Sequence, residues 1–314
     1  MFRFLLAGVC VAAAFAGEPR YELAGQVQPP GRAAISLYGA TSPFTATTFS
    51  DGGGRFRFKK LVPGAYTIGV YIQERGEARL TAEVGPGTAD SHGRVSLTLD
   101  LKDADFETRD ALRRQHAVTA TELALPAKAL REYEDAQKDL ARRDVESAVK
   151  RLEHAVELAP QFSAAWNNLG TIAYQTRNFL RAEECFREAL AADPAAYEPL
   201  VNLGGVLLNL RKLAEAMDCN LHAMLARPHD ALANSQLGMT YFEVGNFDLA
   251  LKYLERAREI DPAHFSHPQL MLAEIHLRRG ENRAAADDLE DFVKHHPDYP
   301  QAEKVRENIA KLRQ

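Results

Sequence analysis

The chain has 314 residues, of which 46% are hydrophobic and 26% charged, with a formal net charge of −5. That is enough apolar material for two cores, and it leaves out the basic face that nucleic-acid binding requires. No segment of the sequence is long and apolar enough for a stable membrane span.

The first sixteen residues, MFRFLLAGVCVAAAFA, place one cation, Arg3, before an apolar run from Phe4 to Ala13. Ala14-Phe15-Ala16 then supplies an A-x-A cleavage pattern, so residues 1–16 read as a secretory signal peptide. The expected destination is the periplasm or the extracellular space. Two cysteines remain beyond it, Cys185 and Cys219.

From Tyr21 to Leu101 the pattern is that of short strands. Val95, Leu97, Leu99 and Leu101 alternate with polar residues, and Phe56 and Phe58 alternate with Arg55 and Arg57. Period two means a strand with one buried face. Further strands are expected over 21–28, 33–38, 45–50, 65–72 and 77–84, separated by Gly, Pro and Asp clusters. Seven strands at this spacing predict a β-sandwich over residues 20–102. The stretch Ser50-Asp-Gly-Gly-Gly-Arg-Phe-Arg-Phe58 runs straight into a strand. A phosphate loop would open a helix instead, and a calcium loop would carry more oxygen ligands. Asp-Gly between two strands predicts a hairpin turn.

These residues look familiar in their order. Gly25-x-Val27, Ser50-Asp51-x-x-Gly54-x-Phe56-x-Phe58 and Leu61-x-Pro63-Gly64-x-Tyr66-x-Ile68-x-Val70 together resemble the carboxypeptidase regulatory-like domain. That resemblance implies a transthyretin-like β-sandwich, an accessory module of secreted and outer-surface proteins with no peptidase activity of its own.

Residues 103–127 read as a charged, mixed linker. Behind it one unit is used five times. Small residues fall at Ala136, Gly170, Gly204, Gly238 and Ala273, and alanines at 148, 182, 216, 250 and 285. A third column is Ala155, Ala189, Ala223, Ala257 and Phe292, and prolines close the units at 160, 194, 228, 262 and 297. A fixed period of 34 to 35 residues is the signature of a repeat architecture. Trp166-x-x-Leu169-Gly170 through Pro194 resembles the tetratricopeptide repeat (TPR), which implies five helix pairs over 128–297 stacked as an all-α solenoid. Residues 298–314 suit a polar capping helix. Cys185 and Cys219 occupy equivalent places on successive second helices, whose axes lie ~8–10 Å apart, too far for a disulfide.

Chemistry is sparse. His154-Ala-Val-Glu157 matches an H-x-x-E zinc pattern, but Ala155 is a packing position and no third ligand follows. His264, His267, His276, His295 and His296 crowd the last repeat without known ligand spacing; they read as scattered helix and turn residues, with an adventitious metal site as the alternative. No metal site, no cofactor and no catalytic residue is expected, so the chain is not read as an enzyme. Candidate binding residues lie on the first helix of each pair, which lines a concave groove. Asn168, Asn202 and Gln236 recur two places before each glycine, where side-chain amides suit an extended peptide backbone. They resemble the asparagine ladder in the superhelix of O-linked N-acetylglucosamine transferase. Equally, Asn-Leu-Gly is common repeat sequence. Tyr174 and Phe242, four residues after the glycines, are interface anchors or core.

The expected function is an exported protein–protein interaction scaffold that binds a peptide or protein segment in the groove. The alternative is envelope or carbohydrate adhesion through Tyr38, Phe44 and Tyr71 of the sandwich, with the repeats as a stalk. Self-association as an envelope component is a third expectation.

Overall fold

The computed structural model describes residues 19–73, 75–102, 106 and 125–314. The expected signal peptide at 1–16 and nearly all of the expected linker at 103–127 lie outside those residues. Among the described residues, seven strands precede eleven helices.

The strands are β1 (Tyr21–Gln28), β2 (Ala34–Gly39), β3 (Thr45–Phe49), β4 (Arg55–Leu61), β5 (Gly64–Ile72), β6 (Gly76–Val84) and β7 (Arg94–Asp100). They form two sheets, ordered β4-β1-β7 and β3-β2-β5-β6. β1 runs antiparallel to β4 and parallel to β7. Alternation drives the packing: Leu23 and Val27 of β1, Ile35 and Leu37 of β2 and Ile68 and Val70 of β5 are fully buried, in one core with Phe56 and Phe58.

The Asp51 turn is built from its own side chain. Asp51 Oδ1 accepts the N–H groups of Gly53 and Arg55, both at 2.9 Å, and Gly54 takes φ +78°. The glycines therefore serve the turn, as expected. The hairpin does not follow: β3 and β4 diverge into different sheets. Turn chemistry is local and does not dictate which sheet the next strand joins. The same device recurs at Asp90-Ser-His-Gly93-Arg94, where Asp90 Oδ1 accepts from His92 and Arg94 at 2.8 and 2.9 Å.

The helices pair as α1 (Ala127–Ala141) with α2 (Val145–Leu158), α3 (Ser163–Gln175) with α4 (Phe179–Ala192), and α5 (Tyr197–Asn209) with α6 (Leu213–Ala226). α7 (Ala231–Glu243) pairs with α8 (Phe247–Ile260), α9 (Pro268–Arg278) with α10 (Asn282–His295), and α11 (Ala302–Leu312) closes the array. The glycine column marks the closest crossings. A Cβ on Gly170 would come 2.6 Å from the Phe186 ring, one on Gly238 2.7 Å from Leu254, and one on Gly204 would strike the Asn220 amide. In each case the struck residue lies sixteen positions on, in the partner helix. α11 buries Ala302, Val305 and Ile309, the last two against the Leu289–Phe292 cluster, and turns its charges outward. Cys185 and Cys219 are both free, and burial pushes the Cys185 thiol up to about 11.

One further column escapes a reading by residue type. Arg143, Arg177, Arg211, Gly245 and Gly280 all adopt positive φ, between 61° and 81°, where each first helix ends. Glycine is the usual residue in that left-handed cap. Three repeats use arginine instead, so the turn is invisible to a search for glycine.

Candidate functional site

The five predicted binding residues sit on first helices, but most are already engaged along the array. Asn168 donates from Nδ2 to the Tyr133 hydroxyl at 3.3 Å, and Asn202 donates to Asn167 Oδ1 at 3.1 Å. Each bond reaches back one repeat. Gln236 is buried; its Nε2 lies over Gly205 and its Oε1 has no partner. Asn168 and Asn202 are half-buried and keep unspent amide capacity. Tyr174 is 36% exposed, stacks edge-on to Phe179 at 5.6 Å and accepts from Asn209 Nδ2 of the next repeat at 3.3 Å. Phe242 repeats that arrangement with Phe247 at 5.6 Å, and the Arg278 guanidinium lies 4.8 Å over its ring. The structure thus aligns the residues in one row but does not converge them on a pocket.

The charged chemistry lies elsewhere, where the β-domain docks on the array. Each closing proline ends its second helix at the residue before it, since proline disfavours helical backbone in that residue. In the last three repeats these helix-ending residues are Arg227, Asp261 and His296. Successive outward residues of the edge strand β6 face them in the same order. Arg79 donates to Glu198 Oε1 at 2.8 Å, and Arg227 reaches that same oxygen at 3.2 Å. The Thr81 N–H donates to Asp261 Oδ2 at 2.9 Å. Glu83 Oε1 lies 2.7 Å from His296 Nδ1. Beyond the strand, the Gly87 N–H donates to Asp298 Oδ1 at 2.7 Å. At the other end of the array Gln175 Nε2 donates to the Gly39 carbonyl at 2.9 Å and Arg143 to the Tyr66 hydroxyl at 2.8 Å.

Burial and charge set the protonation states along this seam. Burial pushes Glu198 up, but Arg79 and Arg227 together outweigh it and hold the carboxyl down at about 2. Burial raises Asp261 to about 6, only partly offset by the bond from Thr81. Burial, reinforced by the neighbouring His296, pushes His264 and His267 down to about 3. Spacing gave no sign of this gathering, because its members are separated by up to 213 residues. His154 of the His154-x-x-Glu157 zinc pattern lies apart from this seam and faces Glu132 at 3.2 Å, on the surface of the first repeat.

Comparison with known proteins bears on the array. Residues 163–196 and 231–264 match a tetratricopeptide repeat model, residues 133–179 a second, and residues 269–299 a third. The helical part of this chain is built of tetratricopeptide repeats. It is similar to the Cell division cycle protein 16 homolog of Homo sapiens, with 31% identity over 119 residues, covering 35% of this chain and 19% of that protein. It is also similar to Anaphase-promoting complex subunit 7 of Arabidopsis thaliana, 28% identical over 160 residues, covering 50% of this chain and 28% of that protein. This chain therefore spans less than a third of the length of these curated relatives. Among solved structures the array has the fold of PilW, described as a widely conserved type IV pilus biogenesis factor. The TM-score is 0.52 and the identity 24%, over 60% of this chain and 86% of that one.

Proposed function

We propose that this chain is an exported, non-enzymatic interaction protein that holds a peptide or protein segment along the first helices of its repeats. The observation that carries this reading is the row of Asn168, Asn202, Tyr174 and Phe242. It combines half-buried amides with an exposed aromatic, Tyr174, on one face of successive repeats. Exposed aromatics beside polar groups are the usual anchors of a binding face. Interaction roles carried by such arrays, and the description of PilW as a pilus biogenesis factor, support a protein partner. We take residues 20–102 to be a transthyretin-like, carboxypeptidase regulatory-like module that braces the array. The export pattern of residues 1–16 supports an envelope or extracellular destination.

Adhesion through the β-domain with the repeats as a stalk is weaker. A stalk would carry the domain beyond its tip, whereas β6 lies along the closing turns of three repeats. Phe44, one of its three aromatics, is half-buried and packs against Tyr66 at 5.7 Å.

The test is capture from the native envelope after crosslinking, comparing wild type with the Asn168→Ala, Asn202→Ala, Tyr174→Ala triple variant. The variant should lose at least tenfold in captured partner with an unchanged melting curve. Equal capture by both proteins removes the reading.

A further inference from the structure

Beneath the end of β6 three potential ligands meet. Glu83 comes from the strand, His267 from the turn that starts α9, and His296 from the end of α10. One nitrogen of each ring and one carboxylate oxygen all lie within 4.8 Å of one another.

The state of His296 is the telling observation. Its side chain is wholly buried, its Nδ1 is 2.7 Å from Glu83 Oε1, and its Nε2 is buried with no partner. Orphaned buried polar atoms are rare and costly. The Glu83 oxygen and Nδ1 stand close enough for one ion to take the place of a proton between them and be held by both. His267 completes the geometry. Its ring stands edge-on to that of His296, centroids 4.5 Å apart at 82°. Its backbone sits at φ +52° and ψ +58°, a region that costs a non-glycine residue of order 1 kcal/mol or more. Phe292 and Tyr299 hold the ring from the sides at 5.2 and 5.8 Å. The other histidines nearby are spoken for: His276 bonds Asp288, His295 the Asp291 carbonyl, and His264 Ser266.

We propose that Glu83, His267 and His296 form a site for a divalent transition metal of the zinc class, which would pin β6 to the last closing turns of the array. Two imidazoles and one carboxylate suit zinc, whereas calcium and magnesium demand an all-oxygen shell. Ligand bonds of about 2.0–2.2 Å set tetrahedral ligand atoms roughly 3.4 Å apart, so the three atoms need to draw in by no more than roughly 1.4 Å. Glu83 and His267 are half-buried, which gives the ion an entry path. Three protein ligands leave one position for water. The proposal does not depend on the peptide-binding reading.

The experiment uses the full chain and zinc alone, titrated in competition with a chromophoric chelator. Cobalt substitution supplies a visible spectrum that reports coordination. Wild type should bind one zinc per chain and melt at a higher temperature with zinc than with chelator. His267→Ala and Glu83→Gln should each weaken binding by more than about tenfold, the loss that even outer-shell changes produce. His92→Ala, in the exposed turn before β7, should bind as wild type does. Circular dichroism in chelator establishes that each variant is folded, and Glu83→Gln preserves the shape of the interface should His267→Ala loosen it. Equal zinc affinity in wild type and in Glu83→Gln and His267→Ala, or loss of binding in His92→Ala, would mean an adventitious ion only and overturn the site.

Discussion

The two ends of strand β6 are fastened to the array by opposite chemistry. At Arg79 the joint is made of fixed charges: two guanidinium groups converge on Glu198, and Arg79 also meets Glu77 at 3.0 Å. At Glu83 the joint is the His296 imidazole, with His267, which burial holds neutral, beside it. One strand thus carries a joint indifferent to pH across the physiological range and another that responds to protons and, on our proposal, to metal. The comparison teaches that equivalent positions in a repeat array, here the residues before Pro228, Pro262 and Pro297, can take up different roles without disturbing the repeat.

The largest expected effect breaks the charged end. Glu198→Gln leaves Arg79 and Arg227 facing each other in a largely buried seam, and removing one partner from a buried ion network costs about 3 kcal/mol. Urea unfolding at pH 7 should show that loss, and a loss below 1 kcal/mol would mean that solvent reaches the pair freely.

Acidification comes next and acts on the other end. His264 and His267 stay neutral in the fold down to about pH 3, while in the unfolded chain they charge near 6.5. Their stabilisation is complete above about pH 6.5 and drains away as the pH falls toward 3. Around them stand His296, Glu83, Asp261, Ser235 and Ser266. Asp261 works in the opposite sense: with its folded value at about 6, above the unfolded one, it stabilises increasingly as the pH falls through 6. At about 1.4 kcal/mol per unit, His264 forfeits about 2 kcal/mol between pH 6.5 and 5 and Asp261 returns about 1. Glu198 contributes no change until the pH falls below about 4.5, because its folded value is about 2. The urea midpoint should therefore be lower at pH 5 than at pH 7, and by the same interval in Glu198→Gln as in wild type. An interval abolished by that substitution would show that the two ends are not separate.

The smallest effect sharpens the middle of the strand. Asp261→Asn keeps an oxygen for the Thr81 N–H and removes the buried charge, so it should stabilise by about 1 kcal/mol at pH 8 and by nothing measurable at pH 4. Melting curves at the two pH values test the difference.

Much of this was legible in the sequence. Strand positions followed from alternation such as Val95-x-Leu97-x-Leu99, and the repeats from the glycine, alanine and proline columns, because both patterns are periodic consequences of burial. Sheet membership was not legible. The Asp51 turn looks alike whether the chain folds back on β3 or crosses to pair with β1. The arginines at 143, 177 and 211 hid the left-handed turns, since arginine carries no turn signal. The docking seam was hidden most deeply. Arg79, Thr81 and Glu83 read as an ordinary solvated face, and their partners lie 119 to 213 residues away. The single sign available was the changing residue before each closing proline, a departure from repeat regularity.

The bond from the Thr81 N–H to Asp261 has a consequence for solubility. β6 is the outermost strand of its sheet, and such borders present rows of unpaired amides that invite a strand from another molecule. Here the repeats lie alongside that border and give one of its amides a carboxylate. A chain that lost its array would expose a nine-residue template for intermolecular pairing, so the solenoid keeps its own companion domain from polymerising.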